Sequence, residues 1–499
     1  MGSIIDSIEM YDKFKYLRNQ KYFVDKSNII NIFNNLINKD GRKNVCITKP
    51  RRFGKTSIAA MLVTYYSKGI NSQKIFNKYK VSRGIDFQEL FDKKLKEKFN
   101  FAEKKVNKKK YEKKIKKKVE KEIIKEKKRY KKFQGKYHTL YFDFSCGVKS
   151  YKTLKKYLKS INLDLYKDIK KVYPNSEILN DYDNNIYKNL KNLYIETGEK
   201  FVIIIDEWDY IISNNLFTHK ERDKYISFLR DLIKDRGYAA FVYMTGILPI
   251  AKELSQSTIN FFNEYSMLDD EMYYKYFGFT EREVRALCGN DEGKYKELEN
   301  WYNGYKAFNG RFDELINIIN FNIDGVKDEV LDLIKGNEIS IELENFGAED
   351  LQKESEENKR GEMNEKQNND EMKIILYSKM VTFGFLTYYD GKISIPNKEL
   401  KEKFIKALSK NSEMKYYYDL IKISDDMLKE TFNKNAKAMC KILEEAHLKK
   451  IKSGDKMDHG NLKRVIDFAY FKARMAYHVD EEVGKGEGDI DFIFYQTIR

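Results

Sequence analysis

The sequence predicts an α/β protein organised around a parallel sheet, and three observations carry that prediction. Short, nearly all-apolar runs recur at 44–48 (NVCIT), 139–144 (TLYFDF), 201–205 (FVIII) and 239–244 (AAFVYM). They lack the alternation of a half-solvated strand, so each reads as a strand buried on both faces. Between them lie segments with helical apolar spacing, such as 56–66 (TSIAAMLVTYY) and 225–234. Strands alternating with helices favour a parallel sheet covered on both sides.

The remaining elements follow from length and composition. A chain of 499 residues exceeds what one hydrophobic core organises, which predicts two or three domains. Beyond Pro249 strand signals fade and helical patterns dominate, so a helical lid is expected over about 256–330, closing a first domain at 1–335. A linker and helical region at 336–434 contains 349–372 (EDLQKESEENKRGEMNEKQNNDEM), which is too poor in aromatic and β-branched residues to fold alone and reads as an exposed loop. A last module occupies 435–499.

The formal charge is +17, but much of the excess sits in the Lys-rich stretch 93–132. Lys and Glu alternating at helical spacing predict a solvated helix or coiled arm, or alternatively a surface for anions such as nucleic acid. Cys46, Cys146, Cys288 and Cys440 are far apart, which excludes a CxxC zinc ribbon and gives no disulfide framework. An intracellular location, cytoplasm or nucleus, is therefore expected. No run is apolar and long enough for a secretory signal or a bilayer span, so no membrane partner is expected.

Two segments carry chemistry. The first is KPRRFGKTS, comprising Lys49, Pro50, Arg51, Arg52, Phe53, Gly54, Lys55, Thr56 and Ser57, which follows one strand candidate and opens a helix. In that context Gly54 frees the backbone N–H groups to turn toward a phosphate, Lys55 reaches the outer phosphates and the Thr56 hydroxyl ligates Mg²⁺. The helix N-terminus adds a positive partial charge at the same place. A full phosphate-loop pattern has glycine where Lys49 stands.

The second is FVIIIDEWDY, five apolar residues ended by Asp206 and Glu207. A buried strand delivers Asp206 where open α/β sheets bind ligands, and there it is expected to hold Mg²⁺ with Thr56. Glu207 is then placed to polarise a water attacking the terminal phosphate. Thr245, at the end of the next strand (YMTGILP), is a candidate polar sensor of that phosphate. Together these predict a P-loop nucleotide-binding sheet that uses ATP and Mg²⁺, with Glu207, Lys55 and Thr245 as catalytic candidates.

In order, YFVDKSNII, KPRRFGKTS, IIIDEWDY, MTGILPIAKE and WYNGYKAF resemble the AAA-ATPase-like family that often carries a C-terminal PD-(D/E)XK nuclease-like module. The resemblance covers roughly 15–330 and makes the Lys-rich stretch look like an insertion. The family's usual loop is Arg-Pro-Arg-Arg-Phe-Gly-Lys-Ser, so Lys49 and Thr56 are mild variants of it. By resemblance Asp25 and Lys26 support the nucleotide from nearby, and 435–499 looks like a partial nuclease-like module with Glu482 and Asp489 as vestigial carboxylates. That resemblance implies an ATPase. It leaves two alternatives: a nucleic-acid-processing protein whose nuclease module ATP regulates, and a nucleotide-gated scaffold with little turnover.

Overall fold

The computed structural model describes residues 1–83, 108–180, 185–249, 262–267, 270, 272–289, 291–302, 319–344, 346–347, 369–452, 459–475, 477–485 and 488–496. A five-stranded sheet lies in the first of two compact units, Met1–Tyr295 with Asn345–Asn364. Its strands are β1 (Asn44–Thr48), β2 (His138–Asp143), β3 (Phe201–Asp206), β4 (Ala239–Gly246) and β5 (Asn263–Tyr265). All pairings are parallel, in the order β2-β3-β4-β1-β5. Strands β1, β3 and β4 are buried along their whole length, as their unbroken apolar runs require. Val202 and Ile204 of β3 and Phe241 and Tyr243 of β4 pack in one core with the helix Lys55–Tyr66. Each such apolar side chain contributes roughly 1.5–3 kcal/mol of burial free energy.

Strand β5 falls where the sequence predicts helix. Its three half-buried residues (NEY) carry neither alternation nor β-branching, and only pairing with the edge of β1 makes them a strand. The 256–330 stretch also contains the helices Glu281–Cys288 and Glu292–Tyr302, and compactness breaks within it, after Tyr295.

The Lys-rich stretch forms a 26-residue helix, Lys108–Phe133, and it is better anchored than its composition suggests. Ile115, Val119 and Tyr130 lie on one stripe and are buried, and Tyr65 Oη donates to Tyr130 O at 2.7 Å. Residues 93–107 lie outside the described residues.

The second unit, Lys296–Glu344 with Glu365–Arg499, is mainly helical. It holds a small antiparallel sheet of β6 (Ile339–Ser340), β7 (Thr387–Tyr389) and β8 (Lys392–Ser394), in the order β6-β8-β7. The turn joining β7 to β8 uses Asp390 (φ 50°) and Gly391 (φ 73°), two left-handed residues as a tight twisted hairpin demands. A second hairpin, β9 (Tyr477–Lys485) with β10 (Gly488–Gln496), pairs Asp489 with Gly484 and Phe492 with Glu481, so Glu482 and Asp489 stand on partnered strands. Much of the expected exposed loop at 349–372 lies outside the described residues.

Candidate functional site

The sheet order decides what can meet. Strands β1 and β3 both border β4, so the loop leaving β1 and the acids ending β3 emerge on either side of one strand end. Thr48 pairs with Gly246, Ile205 with Met244, and Lys49 N donates to Gly246 O at 3.1 Å.

In the loop, Arg52 (φ 70°) and Gly54 (φ 86°) are left-handed. Alternation of left- and right-handed residues turns successive N–H groups toward one concavity, the arrangement of backbone anion nests. No side chain caps the helix that starts at Lys55, so its positive end faces the same space. Gly278 N donates to Phe53 O at 3.0 Å and braces the loop from behind. Arg51 is half-buried with its charge acting on Lys55, Arg52 is exposed, and Ser57 sits half-buried in the first helical turn.

Lys49 is engaged elsewhere. Its buried ammonium lies 2.8 Å from Asp270 Oδ2 and donates to Ser266 O at 2.8 Å. It thus ties the loop to the segment after β5. Breaking such a buried pair from one side leaves an uncompensated charge, at a cost of about 3–5 kcal/mol.

Lys55 is buried, and its Nζ donates to Lys49 O (2.9 Å) and Pro50 O (3.1 Å). Burial holds its pKa below the ordinary lysine value, with the Arg51 charge adding, while Glu207, Asp209 and Asp206 pull the other way. Thr56 stands close enough to the Asp206 carboxylate for its hydroxyl to favour the charged form, and Tyr141 Oη donates to Asp206 Oδ2 at 3.3 Å. Burial raises the Asp206 pKa, and so does Asp143, its register partner on β2; Thr56 and Lys55 oppose the shift.

Glu207 follows at φ 51°, a left-handed conformation that costs a non-glycine residue about 1–2 kcal/mol. Strain of this kind is held in place by its surroundings, here by the Trp208 N to Thr245 O bond of 3.1 Å. The Glu207 carboxyl is pushed up to about 7, first by burial and then by the charges of Asp209, Asp206 and Asp143, with Lys55 opposing. Thr245 is fully buried at the end of β4, its hydroxyl beside that of Tyr243.

Asp209 is a site residue that sequence reasoning missed. It is 1% exposed, and its carboxylate accepts from Ile247 N (3.2 Å), Leu248 N (3.0 Å) and Ser213 Oγ (3.1 Å). It clamps the turn after β4 onto the end of β3. Gly246 leaves it room: a Cβ there would sit 2.3 Å from Asp209 Oδ1 and 2.6 Å from the Trp208 ring. The available signal was a second carboxylate three residues after Asp206, in a frame of apolar residues. Asp209→Ala strands two buried backbone donors and the half-buried Ser213 hydroxyl and is expected to destabilise the protein by about 3 kcal/mol, with Asp209→Asn losing less. Thermal unfolding of the two variants checks this; unchanged midpoints for both would remove the clamp.

Asp25 and Lys26 act through neighbouring backbone. Asp25 accepts from Ser27 N (2.9 Å) and Lys80 N (2.7 Å). Lys26 Nζ meets Glu283 Oε2 at 2.6 Å and Lys275 O at 2.7 Å.

The donor set suits a hard cation. One hydroxyl and one carboxylate converge with Asp143 and Glu207 nearby, and Mg²⁺ characteristically takes one or two protein oxygens, keeping waters and phosphates for the rest. Among the described residues no group of three or more His, Cys, Asp or Glu forms an all-protein cage.

No curated protein matches the chain. A family model described as "Predicted AAA-ATPase" matches residues 108–254. That span starts at the Lys-rich helix, so the helix lies inside the matched segment, and it contains Asp206, Glu207, Asp209 and Thr245 but not the loop at 49–57. Over residues 108–254 this chain is therefore similar to the predicted AAA-ATPases, by a stretch that includes the acidic strand end and the strand beside it.

Proposed function

We propose that the chain binds ATP with Mg²⁺ through Lys49–Ser57 and β3, and hydrolyses it. The observation that carries this reading is the convergence at one strand end: Lys49 N donates to Gly246 O and Trp208 N to Thr245 O, and the buried Lys55 lies within the fields of Asp206 and Glu207, about 150 residues away in sequence.

On this reading the backbone nest and Lys55 bind the phosphates, the ammonium exchanging the carbonyls of Lys49 and Pro50 for phosphate oxygens. Thr56 and Asp206 would hold the cation. A cation held there would supply neutralisation of the charge on the phosphates. Glu207 orients a water and accepts its proton, a role for which a carboxyl titrating near neutrality is suited. Thr245 reads the terminal phosphate from β4. Catalysis of this kind is positioning plus charge stabilisation.

The matched span ends at 254, so it lends nothing to a nuclease reading of Glu482 and Asp489, which rests on resemblance alone. The test of the main proposal is calorimetric titration of the full chain with ATP, with and without Mg²⁺, followed by phosphate release. Saturable binding that tightens with Mg²⁺ is expected. Absence of binding at millimolar ATP would overturn the reading.

A further inference from the structure

The helix Lys108–Phe133 holds fifteen basic and four acidic residues, a net +11 of the chain's +17, and the nucleotide site uses none of them. Its two faces are sharply different. Ile115, Val119 and Tyr130 are buried in the protein's own core, with the Tyr65 and Tyr130 rings 5.8 Å apart. Gly135 N, just past its end, donates to Tyr65 O at 2.9 Å. The helix is thus fixed to the far end of the Lys55–Tyr66 helix.

On the outer face Lys114, Lys118, Lys121 and Lys125 follow at steps of four, three and four, with Lys117 alongside and Lys132 five turns beyond Lys114. These six are exposed. Among the described residues, none of Lys114, Lys117, Lys118, Lys121 and Lys125 has an acidic partner. At 1.5 Å per residue the ridge from Lys114 to Lys132 is about 27 Å long, which matches about eight base pairs of duplex.

We propose that this ridge is a docking surface for the phosphate backbone of a nucleic-acid duplex, engaged without sequence preference. The six exposed ridge residues named are all lysines, whose ammoniums are point charges that meet phosphates singly, unlike the planar arginine, asparagine or glutamine groups that read base edges in pairs. A bilayer is a poorer fit. A membrane-bound amphipathic helix inserts its apolar stripe, and here Ile115, Val119 and Tyr130 are buried in the core, with Ile124 the large apolar side chain exposed among the described residues of the helix.

The test is fluorescence anisotropy of the full chain with a mixed-sequence duplex of about 30 base pairs, over about 50–200 mM salt. Six lysine contacts predict a slope of log affinity against log salt of about −5, equal for two duplexes of different sequence. Lys114→Gln/Lys117→Gln/Lys118→Gln/Lys121→Gln/Lys125→Gln is expected to bring the slope to about −1, the share left to Lys132, at an unchanged thermal midpoint. If that variant misfolds, Lys118→Gln/Lys121→Gln/Lys125→Gln serves, with the slope smaller by about 3. Unchanged slopes, no duplex binding by the wild type, binding confined to phosphatidylserine vesicles, or tenfold discrimination between the duplexes would each overturn the proposal. ATP binding is a separate readout, so failure here leaves the nucleotide site untouched.

Discussion

Lys55→Ala is expected to weaken ATP binding by about 100-fold or more, the loss of charge-assisted contacts to two phosphates in a buried setting. The fold should survive it. In the free protein the ammonium bonds to two loop carbonyls and bears the penalty of burial, so its removal relieves a cost while unpairing Lys49 O and Pro50 O. Asp206, Glu207 and Asp209 lose their nearby cation, and the carboxyls of Asp206 and Glu207 should become still harder to ionise. Calorimetric titration measures the affinity and a thermal melt controls for folding. Equal affinity in wild type and variant would mean that Lys55 does not serve the phosphates.

Glu207→Gln is expected to preserve ATP affinity within a few-fold and lower turnover by about 10²–10⁴-fold, the range general-base assistance contributes. For the wild type, activity should rise with pH through about 7, because the carboxylate is the working form. Stability runs the opposite way. The folded pKa lies above the unfolded one, so between the two values the folded state binds more protons, and stability falls as pH climbs from about 4.5 to about 7. Glutamine carries no such dependence. The variant should therefore gain thermal midpoint over the wild type at pH 8 and lose that advantage below pH 4.5. A difference that is flat across this range would remove Glu207 as the titrating group.

Four of the five sheet strands were readable as elements. The runs at 44–48, 139–144, 201–205 and 239–244 correspond to β1 to β4 within one or two residues, because a strand buried on both faces must be apolar at every position. Strand β5 was not readable, since its short polar edge position is defined by what it pairs with. The Lys-rich segment announced a helix but concealed its anchor. Ile115, Val119 and Tyr130 are sparse by composition and become a stripe only when wound at 3.6 residues per turn against a neighbour.

The candidate site divides in the same way. Gly54, Lys55, Thr56, Asp206 and Glu207 were legible because strand–loop–helix chemistry and an apolar run ending in acids are local patterns. Asp209 and the Lys49–Asp270 pair were not, since their partners are 38 and 221 residues away.

The sequence by itself determined which segments are buried strands, where a Gly-Lys-Thr turn opens a helix and where carboxylates end a strand, because periodicity and residue chemistry act over a few neighbours. The tertiary structure alone decided that β1 and β3 flank β4, that Asp206 and Glu207 come within the field of Lys55, and that Lys49 turns to Asp270. Parallel strands are paired across long connections, and the free energy that selects their order belongs to the assembled core.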